Sequence, residues 1–307
     1  MLSGKFFFDL LTQIKNKLEF THNIEITLEA NPGASEAEKF RQYREAGVNR
    51  LSLGVQSFND KKLKSLGRVH NASEATAAFL MARKAEIDRI NIDLMFGLPD
   101  QSISEALEDL KQAIDLNPEH ISWYQLTIEQ NTQFYRSRPQ LPNDDLIWDM
   151  HNQGCELLKE AGYLQYEVSA FAKPNSQSRH NLNYWNFGDY LGIGPGAHGK
   201  ITKANGEIYR SRKSRMPNSY LNAISPRVAL DRIPDNELIF EFMLNVLRLK
   251  DGSNPSTLLQ RTGIPFNDIQ HLWQPLVQKE LVYSDRIATT PLGYQYLNQV
   301  LESFLDS

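Results

Sequence analysis

Cysteine is almost absent from this sequence: its 307 residues contain one, Cys155. A single thiol excludes an intrachain disulfide, a Cys-x-x-Cys redox pair, a cysteine-rich zinc site and a cysteine-held cluster built from these residues alone. Because disulfides are typical of exported proteins, the low cysteine content also favours a cytoplasmic location.

Long apolar runs and an excess of one charge are missing too. No apolar run approaches the roughly 18 residues that span a bilayer. Asp9 interrupts the aromatic run 6–8, and no small-residue cleavage site follows, so residues 1–20 are predicted to form an amphipathic helix rather than a signal peptide. Lys and Arg number 33 against 37 Asp and Glu, a net charge of −4, so we expect no nucleic-acid partner.

Short strands alternate with helices from about residue 23 to residue 170. The predicted strands are 24–30, 50–56, 89–96, 120–128 and 163–170. The predicted helices are 35–46, 59–66, 73–85, 102–116 and 144–161. Capping-box spacing at Ser35, Asn71 and Ser102 supports three of these helix starts. This order predicts an α/β fold around a parallel sheet.

Apolar and polar residues alternate strictly in the first three predicted strands. Strands of an ordinary doubly wound sheet are apolar on both faces, so this alternation favours a barrel with a polar, ligand-holding lumen and chemistry at the carboxyl ends of its strands. The lumen-side residues are Glu25, Glu29, Gln56 and Asp93. Any one of them could be satisfied structurally, but three on successive strands favour a ligand site. Arg68 could pair with a ligand carboxylate, although alone it is typical of a surface arginine.

Residues 173–199 are rich in Asn, Gly and aromatic residues and are predicted to form a long structured loop. Its glycines from Gly192 to Gly199 would let the backbone approach a ligand, but their spacing supports neither a dinucleotide fold nor a phosphate-binding loop. His180 lies near Tyr184 and Trp185 and could be an axial ligand, although isolated loop histidines are usually surface groups. His151 and Cys155 lie one helical turn apart, which predicts a partly buried thiol rather than a metal site.

The remaining segment is predicted to be a small helical, winged-helix-like module. Its predicted helices are 235–249, 256–261, 267–279 and 291–304, with a strand pair at 281–283 and 287–289. The whole chain is thus predicted to have three parts: a partial barrel (1–172), an extension carrying the aromatic and glycine-rich segments (173–234), and the C-terminal module (235–307).

Six segments together resemble the HemW family. They are EITLEANPG (25–33), RLSLGVQSF (50–58), LGRVH (66–70), NIDLMFGLP (91–99), HNLNYW (180–185) and GPGAHG (194–199). HemW is the haem-chaperone branch of the radical S-adenosylmethionine (SAM) proteins, which include oxygen-independent coproporphyrinogen III oxidase, HemN. The HNxxYW pattern favours the chaperone branch over the oxidase.

The resemblance implies a set of ligands and site residues. Glu29, Gln56, Arg68 and Asp93 match SAM-contacting positions, and Tyr124 and His198 match two further ones. His180, with Tyr184 and Trp185, is the candidate haem contact. The implied partners are haem or a porphyrin and a haem acceptor in a membrane-associated respiratory system.

The sequence departs from the family's pattern in one respect. The CxxxCxxC motif that holds a 4Fe-4S cluster, and the GGGTP loop that follows it, do not occur in these residues. We expect that the chain begins just past that loop, either through a misassigned start or as a degenerate copy, and that it cannot cleave SAM reductively. The implied fold is an incomplete (β/α)6-type radical SAM barrel lacking its first strands. The competing functions are coproporphyrinogen oxidation and an inactive, cluster-free remnant.

Overall fold

The computed structural model describes residues 2–33, 39–225 and 227–305, which fall into two compact units, Met1–Gln177 and Ser178–Ser307. The capping residues predicted at Ser35 and Glu38 lie outside the described residues. The division into three parts stays a prediction. In the described part of the chain, no helix is both long and apolar enough to cross a membrane.

The first unit is built on a six-stranded sheet with the order β1-β2-β3-β4-β6-β5. Its strands are β1 (Thr27–Ala30), β2 (Arg50–Gln56), β3 (Arg89–Phe96), β4 (His120–Gln125), β5 (Leu164–Glu167) and β6 (Ala170–Ala172). Strands β1 to β4 pair in parallel, as the β–α alternation predicts. The partial α/β barrel expected from the sequence is confirmed.

The helices of the first unit correspond to the predicted ones, with two exceptions. The sequence did not predict the short helix Gln133–Ser137, and the start of the helix predicted at 35–46 lies outside the described residues. They are α1 (Gly4–Lys15), α2 (Phe40–Ala46), α3 (Asp60–Ser65), α4 (Ala72–Lys84), α5 (Ile103–Leu116), α6 (Gln133–Ser137) and α7 (Asp144–Glu160). Asn71 and Ser102 each form a complete capping box, with Glu74 and Glu105 respectively. Both patterns could be read from sequence because a capping box is a local, reciprocal pair of hydrogen bonds.

The alternation in the strands sorts their side chains between two faces. Leu51, Leu53, Ile90 and Ile92 are completely buried in the core of the first unit. Polar side chains such as Asp93 point to the other face, where they bond one another. The apolar face therefore supplies the packing energy, while the polar face remains available for ligand chemistry.

The prediction of a single strand at 163–170 is wrong. The chain instead forms two short antiparallel strands, β5 and β6, and β6 pairs antiparallel with β4. The turn between them is fixed by side chains: Ser169 N donates to Glu167 Oε1 at 3.1 Å, and Gln165 Nε2 donates to Val168 O at 3.2 Å. These bonds replace two ladder positions, so the strand cannot continue.

The second unit combines an antiparallel sheet with a helical module. The sheet has the order β7-β8-β9, formed by β7 (His198–Thr202), β8 (Ile208–Lys213) and β9 (Arg227–Arg232). The helices are α8 (Arg179–Trp185), α9 (Pro217–Asn222), α10 (Asp235–Val246), α11 (Pro255–Thr262), a 3-10 turn (Phe266–Ile269), α12 (Gln270–Gln278), α13 (Pro291–Gln295) and α14 (Leu297–Glu302). Trp273 and Phe242 lie fully buried in its core.

Two predictions in this unit need correction. Residues 173–199 are not a continuous loop, because they contain α8, whose N-terminus is capped by Ser178 accepting a hydrogen bond from Asn181 N at 3.3 Å. The predicted strand pair at 281–283 and 287–289 is reduced to isolated bridges, Val282 with Thr289 and Ser253 with Ile287. Both segments are too short for sequence periodicity to define them.

Candidate functional site

Three predicted site residues of the first unit act electrostatically on the hydroxyl of a fourth, Tyr124. Burial raises the pKa of that hydroxyl, and the carboxylates of Asp93 and Glu29 raise it further, while the guanidinium of Arg68 lowers it. Glu29, on β1, is exposed, and Arg68, which follows α3, is half-buried. The structure thus combines two acidic groups, one cation and one hydroxyl at the polar side of the sheet.

Asp93 is held by donors from the strands on either side. Ser52 Oγ donates to Asp93 Oδ2 at 2.9 Å, and Asn91 Nδ2 donates to Asp93 Oδ1 at 2.7 Å. Burial raises the pKa of the Asp93 carboxyl, and the hydrogen bonds from Ser52, Asn91, Ser122 and Tyr124 oppose that rise by stabilising the anion. The carboxylate is therefore fixed in place before any ligand arrives.

Gln56 ends β2 in a left-handed backbone conformation, with φ of 71°, and its side chain is buried. A Cβ at position 54 would lie 3.1 Å from Gln56 Nε2 and 3.8 Å from Asn31 Oδ1, so Gly54 leaves the space that the Gln56 amide occupies. A non-glycine residue held at positive φ costs about 1–3 kcal/mol and is typical of functional sites. The strain directs this amide toward the carboxyl end of β1.

Glu25, predicted on the lumen side, forms an ion-pair network with two arginines. Its Oε2 accepts a hydrogen bond from Arg89 Nη1 at 3.1 Å and lies 3.6 Å from Nη1 of the buried Arg50. It lies outside the strand proper, which begins at Thr27. The Glu25 carboxylate is therefore paired with the two arginines.

Sequence reasoning missed the polar groups behind Asp93. His120 is buried and bonded to Asn91 Oδ1 at 2.6 Å and to the Tyr166 hydroxyl at 2.8 Å. The available signal was that Asn91 and Ser122 occupy the same polar face as Asp93. The role of Tyr166 could not be anticipated because it depends on the unpredicted β5–β6 hairpin.

The HNxxYW residues of the second unit lie in α8. The histidine of this motif and its two aromatic residues differ in their exposure to solvent. His180 is exposed. Tyr184 and Trp185 are half-buried with their rings perpendicular, 4.8 Å apart, and the Arg248 guanidinium lies 4.4 Å over the Trp185 ring. Among the described residues, the buried Nε1–H of Trp185 has no acceptor.

Tyr190 extends this aromatic group. Its ring lies 5.2 Å from that of Tyr184, and its hydroxyl accepts a hydrogen bond from Arg210 Nη1 at 3.1 Å. Burial and the neighbouring Tyr184 raise the pKa of Tyr190 to about 12, against the charge of Arg210. Arg210 is held in turn by Glu241 at 2.5 Å.

The glycine-rich loop packs closely against its own chain. A Cβ at Gly192 would lie 1.9 Å from the His198 carbonyl oxygen, and one at Gly199 would lie 2.7 Å from Ser211 Oγ. His198 itself is exposed at the start of β7, in the second unit, whereas Glu29, Gln56, Arg68, Asp93 and Tyr124 belong to the first. The close approach at Gly192 is therefore between two backbone segments of the second unit.

Metal-ligating side chains are not clustered. Within the described residues, no group of three or more His, Cys, Asp or Glu is arranged to hold a metal ion. Cys155 is half-buried on α7 with its Sγ 3.6 Å from His151 Nε2. These two groups form a thiol–imidazole contact.

Known proteins resemble this chain in sequence. The radical SAM superfamily matches residues 3–113. The heme chaperone HemW of Haemophilus influenzae is 48% identical over 298 residues, covering 96% of this chain and 78% of that protein. The heme chaperone HemW of Escherichia coli is 47% identical over 307 residues, covering 99% of this chain and 81% of that protein.

The fold has a solved counterpart. Coproporphyrinogen III oxidase (HemN) from Escherichia coli, a radical SAM enzyme, aligns with a TM-score of 0.81 over 100% of this chain and 75% of that one, at 20% identity. This likeness shows a shared fold. Since the chain aligns over nearly its whole length with heme chaperones at close to half identity, it belongs to the HemW family of the radical SAM superfamily.

Proposed function

We propose that this chain binds haem as cargo and delivers it to an acceptor protein. The observation that carries the proposal is the 48% identity to a heme chaperone over 96% of the chain. It includes the HNxxYW segment, which is intact here as residues 180–185.

His180 is the proposed haem contact because its imidazole is exposed while its neighbours are anchored. A neutral imidazole is a common axial ligand of haem iron. Tyr184 and Trp185 offer a flat aromatic surface, and the unused Nε1–H of Trp185 is a donor of the kind that a haem propionate accepts. These features fit an amphipathic macrocycle that carries carboxylates.

The first unit is proposed to bind SAM. SAM offers an ammonium and ribose hydroxyls for carboxylates and a carboxylate for an arginine. Asp93, Glu29 and Arg68 around Tyr124 form a complementary donor and acceptor set, and Gln56 adds an amide nearby. His198 is retained as a further candidate on resemblance alone.

The residues of this chain do not fit a 4Fe-4S cluster. They include one cysteine, which lies beside His151 on α7, so they do not supply a set of thiolate ligands. No step of the proposed function passes through a cluster, and reductive cleavage of SAM is not proposed for these residues.

The proposed acceptor is a haem protein of a membrane-associated respiratory system, and the proposed location is the cytoplasm. A reducing compartment suits a half-buried thiol such as that of Cys155. Haem binding by the purified chain can be tested without knowledge of the acceptor or the location.

Titration with hemin tests the proposal. The purified chain should give a saturable shift of the Soret band, and His180→Ala should weaken binding by about tenfold or more because it removes an axial ligand. His271→Ala is the matched control, since His271 is an exposed histidine on a helix of the same unit.

Two results would contradict this assignment. Absence of any saturable shift with the unaltered chain would refute haem binding. An unchanged titration in His180→Ala, with haem still bound, would refute the role of His180 while leaving the cargo proposal in place.

A further inference from the structure

A buried series of hydrogen bonds leads from Tyr166 to Asp93. The Tyr166 hydroxyl lies 2.8 Å from His120 Nε2, and His120 Nδ1 lies 2.6 Å from Asn91 Oδ1. Asn91 Nδ2 then donates to Ser52 Oγ and to Asp93 Oδ1, both at 2.7 Å. The series crosses β5, β4 and β3 to reach the one carboxylate of the polar face that is held from both sides.

When Asp93 is ionised, its carboxylate fixes the direction of every bond in the series. A carboxylate only accepts, so the Asn91 amide must present Nδ2 to Asp93 and Oδ1 to His120. The Asn91 oxygen also only accepts, so His120 must carry its proton on Nδ1. Burial and the nearby charge of Arg50 lower the pKa of His120, so the ring is neutral and Nε2 accepts from the Tyr166 hydroxyl.

We propose that His120 is a positioning residue for ligand binding by the first unit: its Nδ1–H fixes the Asn91 amide, which keeps the Asp93 carboxylate ionised and aimed at a cationic or hydroxyl group of the ligand. This inference rests on the proposed SAM site and extends it to two residues that do not themselves contact the ligand. Without the Nδ1–H, Asn91 Oδ1 keeps only the 3.1 Å bond from Ser122 Oγ, so the amide is held less firmly in the orientation that donates to Asp93.

Charged and titratable groups from several strands act on the series. Around Asp93 they include Tyr124 on β4, with Glu29 on β1 and Arg68 acting on Tyr124. Around His120 they include Tyr166 on β5 and Arg50 on β2, and Arg50 is in turn affected by Glu25, Arg89 and Glu119. Substitution of His120 leaves all of them in place.

Substitution of His120 by Asn or by Gln distinguishes the roles of its two ring nitrogens. His120→Asn keeps an N–H close to the position of Nδ1, whereas His120→Gln extends past it toward Nε2. Tyr166→Phe is nearly isosteric and removes the contact at Nε2 alone. If both changes at position 120 destabilise the core, the tautomer of His120 in the unaltered chain still tests the inference. His22→Gln, at an exposed histidine of the same unit, is the matched control.

The first measurement uses no ligand. Nitrogen-15 NMR of the full chain should show the Nδ1–H tautomer of His120, and carbon-13 titration should show the Asp93 pKa rising by roughly 0.5–1 pH unit in His120→Gln, the equivalent of one net hydrogen bond. His120→Asn and His22→Gln should titrate as the unaltered chain does. Tyr166→Phe leaves the bond from Nδ1–H to Asn91 Oδ1 in place, so it should keep the Nδ1–H tautomer and leave the Asp93 titration unchanged.

The second measurement follows SAM binding by calorimetry against pH. Affinity should fall as Asp93 becomes protonated, and this fall should move to higher pH in His120→Gln but not in His120→Asn. An Nε2–H tautomer in the unaltered chain, or an Asp93 titration that is unchanged in folded His120→Gln, would overturn the inference. If the NMR shifts occur but SAM does not bind, the proposed SAM site fails while the positioning of Asp93 stands.

Discussion

The carboxylate of Asp109 on α5 clamps the backbone that leaves β2: Oδ2 accepts from Ser57 Oγ at 2.7 Å and Oδ1 accepts from Phe58 N at 2.6 Å. Ser57 directly follows Gln56, whose left-handed backbone ends the strand. Asp109 therefore fixes the segment that positions a candidate SAM contact. Burial raises the pKa of Asp109 to about 6, against the stabilising effect of its two hydrogen bonds.

This raised pKa makes stability depend on pH. The unfolded carboxyl titrates near its ordinary value and the folded one near 6, so the folded state binds the proton more tightly and the stabilising contribution is lost as pH rises through 6. The unaltered chain should lose about 2 kcal/mol of unfolding free energy from this group between about pH 4.5 and 7. Asp109→Asn should remove that part of the pH dependence, measured by urea unfolding at both values.

Asp109→Ala serves as the contrast. It leaves the Phe58 N–H without its acceptor and should cost about 2 kcal/mol at pH 7, the usual penalty for an unsatisfied buried donor. Because alanine does not titrate, the loss relative to the unaltered chain should be about 2 kcal/mol larger at pH 4.5. An identical pH dependence in the unaltered chain and Asp109→Asn would show that this carboxyl does not titrate as described.

Arg68 is the cation of the proposed SAM site and is not part of the core. Arg68→Met should weaken SAM binding about tenfold or more through loss of a charge-assisted bond to the ligand carboxylate, while thermal stability stays within about 1 °C. Calorimetric titration with SAM measures this effect, and Arg41→Met, at an exposed arginine of the same unit, is the control. Equal affinity in the two variants would remove Arg68 from the site.

Lys200 on β7 is buried, with Nζ 2.7 Å from Asp189 Oδ1 and 4.3 Å from the Phe187 ring centroid. Asp189→Ala leaves this cation without its carboxylate and should cost about 2–3 kcal/mol of unfolding free energy. The exposed pair of Arg212 and Asp231 is the matched comparison, and Asp231→Ala should cost less than about 0.5 kcal/mol. Equal losses would show that Lys200 is solvated.

Gly192 and Gly194 lie in one loop but require glycine for different reasons. Gly192 has no space for a side chain, and Gly194 has a backbone conformation that favours glycine. A Cβ at Gly192 would meet the His198 carbonyl, whereas Gly194 has open space but a φ of 110°. Gly192→Ala should lower unfolding free energy by about 3 kcal/mol through overpacking, and Gly194→Ala by about 1 kcal/mol through backbone strain. Chemical unfolding compares them, and the reverse order would contradict the close approach at Gly192.

Local and periodic features of the fold could be predicted from the sequence. The capping boxes at Asn71 and Ser102 involve neighbours three residues apart, and the alternation in β2 and β3 follows from one face of each strand being buried. The same alternation placed Asp93 on the polar face. These features depend on spacing along one element, which the sequence displays directly.

Features that depend on partners far along the chain could not be predicted. The contact between His120 and Tyr166 requires the antiparallel register of β6 against β4, which no local pattern specifies. Burial of Lys200 likewise requires Asp189 and an aromatic ring to meet it. Sequence periodicity assigns such charged residues to solvent, whereas tertiary pairing offsets the cost of burying them.

Coordination of bound haem by His180 is the central claim, and resonance Raman spectroscopy of the ferrous haem complex tests it most directly, because an imidazole ligand gives an iron–histidine stretching band. The account predicts this band in the unaltered chain and in His271→Ala, and its loss in His180→Ala. A band that persists unchanged in His180→Ala would contradict it.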